Sequence, residues 1–131
     1  MKDYHLLNGS NLAYIGDAYY ELKIRTYLLS TGLTKTKDLQ KASLALVSAK
    51  AHHQIYYKIH TLLNDEEKQI FKRGRNAQHS PRKNINLVEH AISSGFEAVI
   101  GYLYLKKDWP RLDFLITAAI NASKDVNTDE K

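Results

Sequence analysis

The sequence predicts a single all-α domain. Three observations carry that prediction: apolar residues recur at intervals of three and four along nearly the whole chain, proline occurs only at Pro81 and Pro110, and no segment reads as a strand. A chain of 131 residues suits one compact body with a radius of gyration of about 14 Å. Its composition, 44% apolar and 25% charged, is that of a folded globular protein. Cysteine is absent, which excludes disulfides, thiolate zinc sites and cysteine nucleophiles. The longest apolar runs fall far short of a membrane span. The N-terminus carries Asp3 and nothing that resembles an export signal. The expectation is a cytoplasmic protein with no membrane partner.

The first helix is expected from Ser10 or Asn11, either of which can cap it, through LAYIGDAYYELKIRTYLL to Thr31, with Gly32 as its stop. A second begins at the candidate cap Thr36 and follows Leu39, Ala42, Leu46, Val47 and Ala49, then Ile55, Ile59 and Leu62, with a break near His52. Asn64 caps DEEKQIFKR, which has acids in its first turn, bases in its last, and Gly74 as its stop. Residues 75–86 lack apolar periodicity and read as a basic loop. The next helix starts at Asn86, with Glu89 at the capping-box position, and runs to Lys107. Pro110 suits the first turn of a last helix, RLDFLITAAI. The domain is expected over 1–123, with 124–131 as a flexible polar tail. The whole is a bundle of five to seven helices.

The formal net charge is +5, and its excess sits in one place. Residues 72–83 (KRGRNAQHSPRK) hold five Lys/Arg and no acid, leaving 14 bases against 14 acids elsewhere. Such an asymmetry points to a local anionic partner.

Phe96 to Leu105 is apolar on nearly every side except at Glu97, so this helix belongs in the centre of the fold or in a subunit interface. Glu97 is thereby an isolated acid, and so is Asp17 within LAYIGDAYY. A buried carboxylate needs a cation, a metal or a hydrogen-bond network. Each acid also neighbours a helical glycine, Gly16 and Gly101, which costs about 1 kcal/mol relative to alanine. Close approach of the two helices would offset that.

A carboxylate pair beside a basic loop suits metal-assisted phosphodiester chemistry, with hard oxygens for Mg²⁺ and cations for a phosphate backbone. An equal alternative is that Asp17 and Glu97 form structural ion pairs with Lys23 or Arg25. Glu21, one turn after Asp17, is either a third ligand or an orienting group. The six histidines show no zinc spacing. His53, Tyr57 and His60 share a face assigned to packing or solvent. Tyr14, Tyr19, Tyr20, Tyr102 and Tyr104 are assigned to the core, and Trp109 to the last helix junction. No phosphate-binding glycine loop and no Ser-His-Asp order is present.

Four motifs together resemble a known family. LAYIGDAYYE at 12–21 resembles the signature helix of the ribonuclease III family, and SGFEAVIGYLYL at 94–105 its second carboxylate helix. VSAKAH at 47–52 and KRGRNA at 72–77 look like the small bacterial Mini-ribonuclease III subgroup. The resemblance spans about residues 8–120. It implies a Mg²⁺-dependent endoribonuclease that cuts double-stranded RNA as a homodimer, leaves 5′-phosphate and 3′-hydroxyl ends, and matures 23S ribosomal RNA. A ribosomal protein on that RNA is a further candidate partner. Asp17 and Glu97 fall at the family's metal-binding and catalytic acids. Three further acids of larger family members are replaced by Ser10, Ala13 and Ser94, which leaves a non-catalytic RNA-binding or ribosome-assembly module as the alternative. The chain shows no residues for a separate RNA-binding domain, so duplex holding is expected of Lys72, Arg73, Arg75, Arg82 and Lys83, with Asn76 and Lys50 as polar contributors.

Overall fold

The computed structural model describes residues 1–77 and 86–129, with side chains as far as Lys124. Among these residues there are six α-helices and no strand: α1 (Gly9–Ser30), α2 (Thr36–Val47), α3 (Ala49–Ile59), α4 (Asp65–Arg75), α5 (Leu87–Lys106) and α6 (Trp109–Asp129). Short 3₁₀ turns cover Tyr4–Leu6 and His60–Leu62. None of the helices is long and apolar enough to cross a membrane.

The boundaries follow from local hydrogen-bond chemistry. Asn8, rather than Ser10 or Asn11, caps α1, because its extended backbone lets its side chain accept from the Asn11 amide. The break in the second apolar stretch comes at Ser48, not near His52. Ser48 is extended and its hydroxyl accepts from the Ala51 amide, so it closes α2 and opens α3 at once. His52 therefore lies inside α3. Asn64 and Glu67 form the capping box of α4, and Asn86 caps α5 by accepting from the Val88 and Glu89 amides.

Gly74 does not stop α4. It is buried in the last turn, where a Cβ would come within 2.6 Å of both the Ser94 carbonyl oxygen and the Ala98 Cβ on α5. Its role is close packing, and the helix ends one residue later with Asn76 at its cap. At the other end of the chain α6 continues to Asp129, into the stretch expected as a tail. Nothing after Pro110 breaks it, since no further proline or glycine occurs.

Helix α5 is the centre, packed against α1, α3, α4 and α6. Phe96, Ala98, Val99, Ile100, Tyr102 and Leu103 are all buried, as the unbroken apolar run requires. A buried glutamate ties the periphery together. Glu67 accepts from the Arg111 Nε (2.7 Å) and Nη2 (2.8 Å), so α6 is clamped onto the start of α4. Tyr20 and Tyr102 are core residues, but Tyr14 is 82% exposed. It lies on the face of α1 turned away from α5. Trp109 is half exposed and sits against the rings of Tyr19 and Tyr104.

The tightest helix contact is between α1 and α5. A Cβ at Gly16 would overlap the Glu97 carbonyl oxygen, and one at Gly101 would overlap that of Leu12. Gly101→Ala should therefore destabilise the protein by about 2–3 kcal/mol despite its better helix propensity. Urea unfolding that shows Gly101→Ala as stable as the parent would refute this backbone contact.

Candidate active site

The contact at Gly16 sets the positions of the two acids. Asp17 directly follows Gly16, and the Glu97 carbonyl lies against the Gly16 Cα, so the two acids sit at one level of the α1–α5 seam. Their carboxyl groups are in hydrogen-bond contact. Asp17 is exposed and Glu97 half-buried, which puts the pair at the protein surface with one oxygen-rich side open to solvent.

Glu97 is held well above the usual carboxylate range, at about 9. Burial is the main cause. The Asp17 carboxylate, which accepts a hydrogen bond from protonated Glu97 and repels its ionised form, adds to it, and Glu21 contributes a smaller repulsion. The Ser93 hydroxyl, one turn earlier on α5, pulls the other way by bonding the ionised form. In the free protein Glu97 thus keeps its proton near neutral pH.

The two structural ion pairs expected as the alternative do not form. Lys23 lies 4.0 Å from Asp113 and Arg25 bonds Glu21 at 2.6 Å. Glu21 bonds Arg25 on its own helix and lies near enough to Glu97 to help raise it. Among the described residues no group of three or more His, Cys, Asp or Glu side chains could hold a metal. The Asp17–Glu97 pair offers two hard oxygen donors with room for solvent, which fits a cation that keeps much of its water shell.

Beneath the acids lies a polar cluster that sequence reasoning passed over. His52 is fully buried, and its Nδ1 is 2.8 Å from the Ser93 Oγ. The edges of Tyr20 and Phe96 pack on its ring, with centroids 5.1 and 4.9 Å away. Burial pushes the imidazole down to about 4, against the pull of the Asp17 charge, so it is neutral at physiological pH. Neither the His52 Nε2 nor the Tyr20 hydroxyl has a hydrogen-bond partner. The signal was present in VSAKAH and in the serine four residues before Glu97, but only the fold brings the two stretches together.

The basic residues separate into different roles. Lys72, Arg75 and Asn76 are exposed at the C-terminal end of α4. That end is held against Ser94, Gly95 and Ala98 by Gly74, at the level of Glu97 on α5. Arg75 lies over the Phe71 ring and bonds the Asn76 side chain. Arg73 is exposed too, and its Nη1 donates to the His5 and Leu7 carbonyls, 3.0 Å each, which fastens the N-terminal turn. Lys50 is exposed in the first turn of α3. Arg82 and Lys83 lie outside the described residues.

Comparison with known proteins adds an independent finding. The family model described as Ribonuclease III domain matches residues 10–108. Mini-ribonuclease 3 of Enterococcus faecalis is 41% identical over 130 residues, covering 97% of this chain and 98% of that protein. The Streptococcus pneumoniae protein of the same name is 39% identical, covering 92% and 96%. A crystal structure of a Fusobacterium nucleatum protein superposes with a TM-score of 0.78 at 36% identity, over 88% of this chain and 93% of that one.

The raised Glu97 has a thermodynamic consequence in metal-free protein. Between its ordinary value of 4.5 and about 9 the folded state holds a proton that the unfolded chain releases, so this group's contribution to stability falls as pH rises through that window. Glu97→Gln should remove that slope and make the protein more stable than the parent at pH 8 in EDTA. Urea titrations at pH 5 and pH 8 test it; an unchanged slope in the variant would contradict the assignment.

Proposed function

The chain belongs to the ribonuclease III family and to its Mini-ribonuclease III group, and from that premise we propose that this endoribonuclease is Mg²⁺-dependent and hydrolyses double-stranded RNA as a homodimer. The products are 5′-phosphate and 3′-hydroxyl ends. The observation that carries the reading is the pairing of Asp17 with Glu97 at an open surface, without a cationic side chain to explain it. Evolution of a stable core would not place two acids in contact; a site that takes up a divalent cation would.

Asp17 and Glu97 are the residues that would hold the ion. When bound, Mg²⁺ supplies polarisation of the phosphate and a water made acidic enough to attack it. Glu97 must lose its proton to become a ligand, so cation affinity should increase with pH up to about 9. With only two acids from the protein, water and RNA oxygens complete the shell. This accommodates Ala13, buried one turn before Asp17, and Ser94 where larger family members carry acids.

Phosphate holding is assigned to Lys72 and Arg75, with Asn76 and Lys50 as further polar contacts; Arg82 and Lys83 remain candidates from sequence. An A-form duplex is read mainly through phosphates and 2′-hydroxyls, which suits exposed cations beside the acids. The dimer is supported by an apolar stripe on α1. Tyr14, Ala18, Leu22 and Leu29 are exposed on one face, and Asp17 lies at its edge. A second copy covering that stripe would bring two carboxylate pairs to one RNA duplex. The substrate proposed is the precursor of 23S ribosomal RNA, in the cytoplasm, with a ribosomal protein on that RNA as a further partner.

Incubation with duplex RNA in Mg²⁺ should yield cleavage that EDTA abolishes. Asp17→Asn and Glu97→Gln should each reduce cleavage below detection while circular dichroism and sedimentation show an unchanged fold and dimer. Full activity in either variant removes that residue from the mechanism, and full activity in EDTA removes the cation.

The cations should separate experimentally. Lys72→Ala and Arg75→Ala are expected to weaken duplex binding and to lower the salt-dependence slope by about one each. Arg73→Ala should instead lower stability by about 1–2 kcal/mol through loss of its two carbonyl bonds. Binding isotherms at several salt concentrations and urea unfolding decide between these roles.

A further inference from the structure

We infer that His52 and Ser93 are positioning residues for the reaction: His52 holds the Ser93 hydroxyl so that it donates to Glu97 and aims that carboxylate at the shared oxygen site with Asp17. The inference rests on the nuclease reading above. A histidine with no exposed surface, walled by Tyr20 and Phe96, fills a place where an apolar ring would pack at least as well. Its ring is hydrogen-bonded to Ser93 at 2.8 Å, and Ser93 stands one helical turn before Glu97 on α5, where its hydroxyl favours the ionised form of that carboxyl.

The proton count then sets the direction. Ser93 has one hydroxyl hydrogen. If it is given to Glu97, the Ser93 oxygen must accept from His52, which places the imidazole hydrogen on Nδ1 and leaves Nε2 bare. The Nε2 atom is indeed without a partner. A bare ring nitrogen strands only a lone pair, whereas the other tautomer would leave a buried N–H with no acceptor in hydrogen-bonding geometry, although the Leu46 carbonyl acts on the ring. The aromatic wall fixes the ring plane, α3 fixes the histidine relative to α5, and the serine carries the orientation one turn along α5 to Glu97. A hydrogen bond to a ligating carboxylate from a residue that does not itself touch the ion sets the carboxylate's direction and its affinity for the cation.

Nitrogen-15 spectra of the histidine side chains give the first test: His52 should carry its hydrogen on Nδ1, and an Nε2–H tautomer would overturn the relay. The second uses His52→Phe, which keeps the ring, Ser93→Ala, which removes the hydroxyl, and Ser93→Thr, which retains it. Calorimetric titration of the free proteins with Mg²⁺ should show binding weakened about 10-fold or more in His52→Phe and Ser93→Ala. Their half-maximal Mg²⁺ for cleavage should rise in step, while Ser93→Thr recovers both. Thermal unfolding in EDTA should leave His52→Phe as stable as the parent or more so, a separation of stability from cation affinity that a purely structural histidine would not produce. The inference falls if both variants bind Mg²⁺ as the parent does, or if lost activity simply tracks lost stability. Failure of the nuclease reading looks different: the parent does not cut duplex RNA, or Asp17→Asn binds Mg²⁺ unchanged. Even then the Ser93→Ala titration decides whether the relay orients a cation site.

Discussion

The backbone contact between α1 and α5 at Gly16 and Gly101 is the constraint on which the rest of the molecule depends. Two glycines in helix interiors are locally unfavourable, and the offset comes from letting the two helices touch at the Glu97 and Leu12 carbonyls. That approach buries the apolar sides of both helices and at the same time fixes the separation of Asp17 and Glu97. A third glycine, Gly74, brings the end of α4 onto the same stretch of α5. The basic end of α4 therefore shares a level with the acids because three helices are pulled together by residues without side chains.

Two glutamates withdrawn from solvent show how differently one residue type is used. Glu67 is buried with a guanidinium bonded to both of its oxygens and serves as a capping group as well, so both oxygens are engaged. Glu97 has another acid for a neighbour and is kept protonated by burial and by that acid. The first arrangement is complete within the chain. The second is electrostatically incomplete, and the cation of the proposed function would complete it.

The basic segment shows a comparable division of labour. Sequence reasoning treats Lys72, Arg73 and Arg75 as one cluster, but helical geometry points them in different directions. All three are exposed, but Arg73 bonds the carbonyls ahead of α1 and holds the N-terminal turn in place. Charge composition measures how many cations are present; their orientation about the helix axis decides which of them can meet a phosphate.

Periodicity, punctuation and motif order in the sequence by themselves determined the all-α class, the order of the helices, the caps at Asn64 and Asn86, the central place of α5, and the candidacy of Asp17 and Glu97. These are local or pattern-level properties, set by side-chain spacing and by each residue's own hydrogen-bonding groups. Tertiary structure alone decided the helix break at Ser48, the packing role of Gly74, the exposure of Tyr14, the structural use of Arg73 and the meeting of His52 with Ser93. Each of these depends on what lies across a helix interface from residues distant in the chain, and a single sequence carries no direct record of such neighbours.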